Sequence, residues 1–205
     1  MITEQNTVSA STLSDLLAQV ACAHKEYSRA YHARTDWEAE LSAIAARRAA
    51  ILKELRRSQR SLETTIQTSL AAAISDPVKA SAAEIVSVRA RVALLKQGLA
   101  LLSCEGYAAA ERNLLESKIA EYSFQLRLEQ LRKEVHDASV IHSVAIVTGT
   151  GDALSLDGLG SKSQAMAANC ETIMKTLRDL REQLRQHEIT TAQAVKAYES
   201  EFTNV

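Results

Sequence analysis

Five histidines are the side chains of this sequence best suited to bind a metal, but their spacing does not form a site. They are His24, His32, His136, His142 and His187. None follows a glutamate by three residues, which is the spacing through which helical bundles hold di-iron centres. Positions 136 and 142 lie six residues apart, which separates them by about 240° around a helix. We expect no metal site and no cofactor, and we interpret the histidines as register or interface residues.

The three cysteines, Cys22, Cys104 and Cys170, are far apart and form no C-x-x-C pair. An odd number at such spacing is typical neither of a disulfide framework nor of a thiolate metal site, and it favours a reducing compartment. We therefore predict a cytoplasmic protein and interpret each cysteine as a small buried apolar residue. No serine, cysteine or lysine stands in a recognisable nucleophile motif, so we expect a protein that is not an enzyme.

The segment VAIVTGTG at residues 144–151 resembles the strand and glycine turn that open a dinucleotide-binding fold. That pattern requires a third glycine at position 154, where the chain has Leu154. The residues that follow are too few for the alternating strands and helices of such a fold, at roughly thirty residues per unit. We reject cofactor binding and interpret residues 148–163, which hold four of the six glycines, as a loop.

A cluster of positive charge lies between Arg47 and Arg60, where six basic residues accompany one acid, Glu54. On a helix, four of them fall within about 100° of one another, nearly opposite the apolar stripe. We call these four the basic strip: Lys53, Arg56, Arg57 and Arg60. No aromatic side chain is interleaved with the strip, which argues against single-stranded nucleic acid bound by base stacking.

Long helices must position these residues, since residues 1–76 contain neither glycine nor proline. Thr12 or Ser14 can cap the first helix, and Pro77 predicts that it ends at about Ser75. Seam residues recur every three or four positions, a period near 3.5 that keeps a stripe facing a partner helix as the two supercoil. The predicted seam consists of Leu13, Leu17, Val20, His24, Tyr27, Tyr31, Arg34, Trp37, Leu41, Ile44, Arg48, Ile51, Leu55, Gln59, Leu62 and Ile66.

Polar or bulky seam residues are the candidates for partner specificity, because such residues fix register at some cost in stability. A buried guanidinium also demands a carboxylate or several carbonyl acceptors. The predicted specificity residues are His24, Arg34, Trp37, Arg48 and His187.

Two further helices follow, and the first of them changes phase. It carries the seam Val78, Ile85, Val88, Val92, Leu95, Leu99 and Leu102, whereas the pattern downstream is one residue out of phase: Leu115, Ile119, Tyr122 and Leu126. A phase slip at a glycine predicts a kink near Gly106, with a full reversal as the alternative. The last helix, with a possible break near residues 187–190, has the cleanest seam: Met166, Cys170, Ile173, Leu177, Leu180, Leu184 and His187.

These patterns predict an all-α protein, an elongated helical bundle or coiled coil of two very long helices, the second kinked, plus a shorter C-terminal helix. Only 4% of the residues are aromatic while 46% are hydrophobic, which is typical of long helices rather than of a deep core. We predict four parts: a flexible N-terminal tail (1–11), a long helical hairpin (12–147), the glycine-rich loop (148–163) and a C-terminal helix or helices packing on the hairpin (164–205).

The expected function follows from apolar stripes that are hard to cover within one chain of this length. We expect a structural subunit or adaptor of a larger multiprotein assembly, with other helical proteins or further copies of itself as partners. The alternative is a peripheral membrane-binding helical scaffold that uses the basic strip. The net charge of −1 gives no global attraction to nucleic acid or anionic lipid, so we expect no nucleic-acid partner and favour the membrane less.

Overall fold

A computed structural model describes residues 2–75, 83–148 and 157–203, with side chains described for 12–75, 83–103, 106–141 and 160–196. Throughout these ranges the chain is helical, without a strand, so the predicted all-α class is confirmed. The elements are four α-helices and one π-helical segment: α1 (Ile2–Ser75), α2 (Ala83–Leu101), the π-helix (Leu102–Tyr107), α3 (Ala108–Thr148) and α4 (Asp157–Thr203).

Helix α1 begins earlier than the sequence indicated. It starts at Ile2, before the predicted caps at Thr12 and Ser14, so residues 2–11 are helical where a tail was expected. The absence of glycine and proline explains this, because nothing in the covalent chain interrupts the helix. The helix ends at Ser75, as predicted.

The buried line of α1 runs through smaller residues than the predicted seam. His24, Tyr31 and Gln59 are exposed, and their preceding neighbours Ala23, Ala30 and Ser58 are buried instead. With these replacements, the spacing alternates between three and four without interruption from Val20 to Leu62. Small side chains at a helix contact permit a short interaxial distance, which favours them over the larger residues beside them.

The predicted kink near Gly106 is a π-helical segment, and the chain does not reverse there. The backbone is right-handed helical on both sides, with φ −58° and ψ −47° at Leu101 and φ −63° and ψ −40° at Ala108. A π-bulge adds one residue to a helix, and the buried residues show that insertion. The seam before it includes Val92, while the buried residues after it, including Leu114 and Leu128, lie one position later than the uninterrupted heptads would place them.

Helix α4 is longer than predicted and absorbs half of the predicted loop. It begins at Asp157 and continues to Thr203, with no break at residues 187–190. Ser163, assigned to the loop from sequence, forms a hydrogen bond with Asp137 of α3. Helical glycines cost only about 1 kcal/mol each, so their presence does not exclude a helix here. Residues 149–156 of the predicted loop lie outside the described residues.

The helices form two compact units, and the first is a three-helix arrangement. It comprises Met1–Trp37 from α1 and Leu114–His187 from α3 and α4. Ala23 of α1 packs with Leu128 and Leu131 of α3 as a buried cluster, with further apolar residues of α1 around it. Helix α4 contributes the stripe predicted from sequence, of which four residues are buried: Cys170, Ile173, Leu177 and Leu180.

The second unit comprises Glu38–Asn113 and Glu188–Val205. Its buried apolar residues are few: Ile44, Leu55, Val92 and Ala110. Ion pairs supplement them, since Arg91 of α2 lies 2.6 Å from Glu54 of α1 and Arg112 of α3 lies 3.4 Å from Glu188 of α4. These pairs are largely exposed, and such pairs contribute little to stability.

Candidate functional site

The predicted seam arginine of the first unit finds its carboxylate within the chain. Arg34 of α1 donates from Nε to Oε2 of Glu121 on α3, and the two side chains are only 20% and 9% exposed. The guanidinium carbon also lies 4.9 Å from the centre of the Tyr31 ring, close enough for a cation–π contact. The first unit therefore satisfies its buried charge without a partner.

Tyr27 lies beside this ion pair, and its pKa responds to it. Burial raises the pKa of the Tyr27 hydroxyl, and the negative charge of Glu121 raises it further, while Arg34 opposes the rise. A cleft of about 360 Å³ borders the pair, lined in part by Lys118, Tyr122 and Thr176. The arrangement holds two opposite charges in a fixed pairing, which positions helices rather than moving protons.

The seam arginine of the second unit is less well satisfied. Arg48 lies over the ring of Tyr107 at 5.6 Å, but its buried Nε has no hydrogen-bond partner among the described residues. The nearby carboxylate of Glu111 is the main cause of a raised Tyr107 pKa, with burial and a hydrogen bond to Glu111 adding to it and Arg48 opposing it. An unpaired buried donor costs about 1–3 kcal/mol. The contacts around Arg48 and Tyr107, which we call the arginine layer of the second unit, are therefore incomplete. The arginine layer of the first unit is Arg34 with Glu121 and Tyr31.

The basic strip lies on the solvent face of α1, with all four side chains exposed. On the opposite face, Leu55 and Ser58 are buried. Glu54, the one acid in the cluster, pairs with Arg91 of α2 and not with the strip. Within the described part of the chain, no carboxylate forms an ion pair with the four cationic groups, so their charge is directed to solvent.

A shallow apolar groove lies between α1 and the end of α2 with the π-helix. Ala50 and Ile51 line one side, and Leu101 and Leu102 line the other. Gly98 also lines the groove, and a Cβ added there would meet nothing within 4 Å, so the space beside it is open. Leu101 is 51% exposed. Ala50 also lines the surface beside Lys53 and Arg57, but the basic strip as a whole lies on the face of α1 nearly opposite Ile51.

The other predicted site residues are dispersed. His24 is exposed, while Trp37 and His187 are half-buried. The structure thus brings Arg34 together with Glu121 and places Arg48 against Tyr107. Of the histidines, His32 lies edge-on to the Tyr31 ring that Arg34 contacts, with 5.7 Å between the ring centres. Helix α3 includes residues 144–148, so the start of the segment that resembled a nucleotide-binding strand is helical.

The cysteines differ from the uniform burial expected of them. Cys22 is exposed and Cys170 is buried, and burial raises the pKa of the Cys170 thiol. The side chain of Cys104 lies outside the described residues. Across the described part of the chain, no three histidine, cysteine, aspartate or glutamate side chains are placed to hold a metal ion.

Three residues of these surfaces, Glu121, Tyr107 and Gly98, were not identified from sequence. Glu121 falls on the buried line of α3 only after the one-residue insertion of the π-helix is counted. The sequence showed a phase slip near Gly106, but the predicted seam of Leu115, Ile119, Tyr122 and Leu126 shifts one residue in the opposite direction from the buried line. Tyr107 adjoins the glycine where the phase slips, so the slip itself could have drawn attention to it. Gly98 occupies a helix interior, where glycine is unfavourable, and that unfavourable placement is itself a sequence signal.

Comparison of the chain with family models, with curated proteins and with solved structures found no match. No helix within the described residues is both long enough and apolar enough to cross a membrane. The described surfaces that bear on function are the two arginine layers, the basic strip and the apolar groove.

Proposed function

We propose that this protein is a non-enzymatic coiled-coil subunit or adaptor of a larger multiprotein assembly in the cytoplasm, acting through helix–helix contacts. The observation that carries the proposal is the distribution of apolar side chains in the second unit. Leu70, Ile74, Val86, Leu94 and Leu101 are between 51% and 86% exposed. Single exposed leucines are ordinary, but repeated large ones on α1 and α2 favour helices that contact other helices.

The heptad spacing supports the same proposal. A period of 3.5 residues is retained along α1 even where the buried residue is alanine or serine, and such spacing is the pattern of helices that supercoil around partners. The proposal therefore includes the elongated coiled-coil character expected from sequence. Its partners are other helical proteins or, where the assembly is a homo-oligomer, further copies of this chain.

The test is affinity purification of the tagged chain at native expression level, with mass spectrometry of the proteins recovered at moderate salt. Stoichiometric recovery of other helical proteins is the expected result. A matched purification of a Leu94→Glu/Leu101→Glu variant should lose them, because two charges then replace exposed leucines. Recovery of the chain alone, as a monodisperse monomer, would contradict a subunit role.

A second function, a peripheral membrane-binding helical scaffold, is favoured by the exposed and unpaired charge of the basic strip. Each basic residue near an anionic bilayer contributes about 1 kcal/mol, so four of them give weak attachment. Sedimentation with vesicles containing phosphatidylserine distinguishes the two functions. We expect the chain to remain in the supernatant at physiological salt, and salt-sensitive pelleting that an Arg56→Glu/Arg57→Glu variant abolishes would establish the membrane function instead.

A further inference from the structure

We propose that the outward face of α2 pairs with the same face of a second copy of this chain, in an antiparallel dimer with twofold symmetry. The inference rests on the proposed function and deepens it, since it names the surface, the partner and the orientation of one helix–helix contact. It concerns α2 alone, which lies wholly within the second unit.

Helix α2 is apolar on both of its faces. Its inner face includes Val92, which is buried, whereas Leu94 and Leu101 on the outer face are 68% and 51% exposed. A helix that is apolar all round is typically covered on every side, so the outer face of α2 requires a further helix. Of the 19 residues of α2, the charged ones are Glu84, Arg89, Arg91 and Lys96.

Exposed residues on the outer face of α2 follow a second heptad pattern. Their spacing alternates between four and three along the whole helix, which is the period that keeps a stripe facing a partner helix. All six are exposed, and of the residues that line the groove between α1 and α2 only Leu101 is among them. We call this set the outward seam of α2: Ala83, Ser87, Ala90, Leu94, Gln97 and Leu101.

The outward seam is complementary in size to itself when two copies run in opposite directions. In an antiparallel pair centred on position 92, each residue lies opposite the one that is equally far on the other side of that position. Ala90 then faces Leu94 of the second copy, and Ala83 faces Leu101. Each leucine therefore meets an alanine, and a small side chain opposite a large one lets two helices pack closely.

The polar residues of the outward seam match in the same arrangement. Ser87 faces Gln97 of the second copy, so the two polar side chains of each seam share a layer, and a polar layer of this kind specifies register. A parallel pair would place every residue opposite itself. Leucine pairs would then alternate with alanine pairs, and the wide and narrow layers would leave voids that close-packed contacts avoid.

Most charges of α2 lie away from the outward seam. Arg89 and Lys96 are more than about 100° around the helix from the centre of the seam. The positions that flank the seam on one side are all uncharged: Val86, Ala93 and Ala100.

The charge nearest to the proposed twofold axis already has a counter-charge. Arg91, on the other flank of the seam, lies close to Arg91 of the second copy when the helices pair. Its Nη2 is 2.6 Å from Oε1 of Glu54 in its own chain, so two neutral pairs meet there rather than two like charges. A strongly acidic or basic helix would find no opposite charge on the seam, which favours a second copy over a charged partner.

The length of the contact sets the expected affinity. From Ala83 to Leu101 the seam extends along about 27 Å of helix, and interfaces of such small size are weak. Sedimentation equilibrium of the full-length chain should therefore show a monomer–dimer equilibrium with a Kd of about 1–100 µM. A chain that remains monomeric at about 500 µM would overturn the proposal.

Matched variants locate the contact. Leu101→Glu should weaken the dimer at least about tenfold, because it places a charge in an apolar layer. Leu17→Glu in the first unit changes a leucine of nearly equal exposure, 52% against 51%, and should leave the dimer unchanged. Both positions are exposed, so an unchanged Tm shows that folding is retained. A dimer that responds equally to both variants does not use the outward seam.

Cysteine pairs test the orientation. A mixture of Ser87→Cys and Gln97→Cys chains should form a disulfide between positions 87 and 97 under mild oxidation, identified by mass spectrometry of the linked peptides. Each variant alone should not link through its new cysteine, because the two copies of position 87 lie about 15 Å apart along the helix axis, beyond the reach of a disulfide. The wild-type chain, oxidised in the same way, is the control for its native cysteines. Linkage of position 87 to itself would indicate a parallel pair and overturn the proposal.

Charge pairs test the register independently. Ser87→Lys/Gln97→Glu places opposite charges across the proposed layer, whereas Ser87→Lys/Gln97→Lys places like charges there. The first variant should dimerise at least about tenfold more tightly than the second. Equal affinities would contradict the pairing of Ser87 with Gln97.

The proposed function can stand when this inference fails. A photo-crosslinker at Ala93, beside the outward seam, should capture a second copy of the chain during affinity purification. If it captures a different helical protein in stoichiometric amount, the inference fails and the proposed function holds. Recovery of the chain alone, as a monodisperse monomer, would remove both.

Discussion

The two units of this chain are built from the same kinds of helix but bury their apolar residues to different extents. Of the thirteen buried apolar residues described, nine lie in the first unit and four in the second. The large exposed hydrophobic residues show the opposite distribution, with four in the first unit and seven in the second. Within the described side chains, the first unit covers its own core and the second presents apolar surface.

The seam arginines repeat this contrast. Arg34 has a carboxylate and an aromatic ring beside it in the first unit, whereas Arg48 in the second has an aromatic ring and a buried nitrogen without an acceptor. Arginine at a heptad position therefore has two different roles in this chain. Where the chain provides the acid, the arginine fixes an internal register, and where it does not, the layer is open to completion by another helix.

The largest expected effect comes from truncating the core of the first unit. Leu128→Ala removes a side chain that is 2% exposed and should lower the free energy of unfolding by about 2–5 kcal/mol. The matched Leu94→Ala change in the second unit removes a side chain that is 68% exposed and should change it by less than about 0.5 kcal/mol. Urea unfolding followed by circular dichroism at 222 nm measures both. Equal losses would remove the contrast between the units.

Replacing the two seam arginines should have opposite effects. Arg34→Leu leaves the buried carboxylate of Glu121 without its cation and should cost about 2–3 kcal/mol, below the full value for a wholly buried pair because Arg34 is partly exposed. Arg48→Leu removes an unpaired buried donor and should be neutral or stabilising by about 1 kcal/mol.

Addition of Glu121→Leu to Arg34→Leu is the control, since removal of both charges should recover most of the loss. The same urea titrations provide the values. If Arg48→Leu destabilises the chain as much as Arg34→Leu does, the second arginine layer is complete and this part of the comparison is wrong.

A smaller difference is expected in the titration of two tyrosines. The pKa of Tyr27 in the first unit is raised mainly by burial, and that of Tyr107 in the second mainly by Glu111. Glu111→Gln should therefore lower the Tyr107 pKa toward its usual value of 10.0 more completely than Glu121→Gln lowers that of Tyr27. Absorbance at 295 nm, compared with Tyr27→Phe and Tyr107→Phe variants, resolves each group.

The sign of the linked stability effect follows from the same pKa shifts. A tyrosine pKa that is higher in the folded state favours the protonated hydroxyl, so its contribution to stability is complete below pH 10 and is lost as the pH rises through the folded pKa. Stability should decline above pH 10, and each tyrosine-to-phenylalanine variant should decline less. A decline of unchanged size in both variants would assign the loss to other groups.

The helical class, the end of α1 at Ser75 and the buried stripe of α4 were predictable because each depends on local spacing. The buried residues of α1 were harder to predict. Ala23 and Ala30 are smaller than Tyr31, and they are preferred at the helix contact only when a second helix approaches closely. The Arg34–Glu121 pair joins residues eighty-seven positions apart. Its partner could not be identified before the π-helix had set the register of α3.

Hydrogen exchange of the isolated chain, followed by mass spectrometry, tests the central claim that the second unit is the part that needs a partner. Amides of 114–141 and 166–184 in the first unit should exchange more slowly than those of 41–62 and 83–101 in the second, since local opening is easier where few apolar contacts are buried. Equal protection of both units would contradict the account.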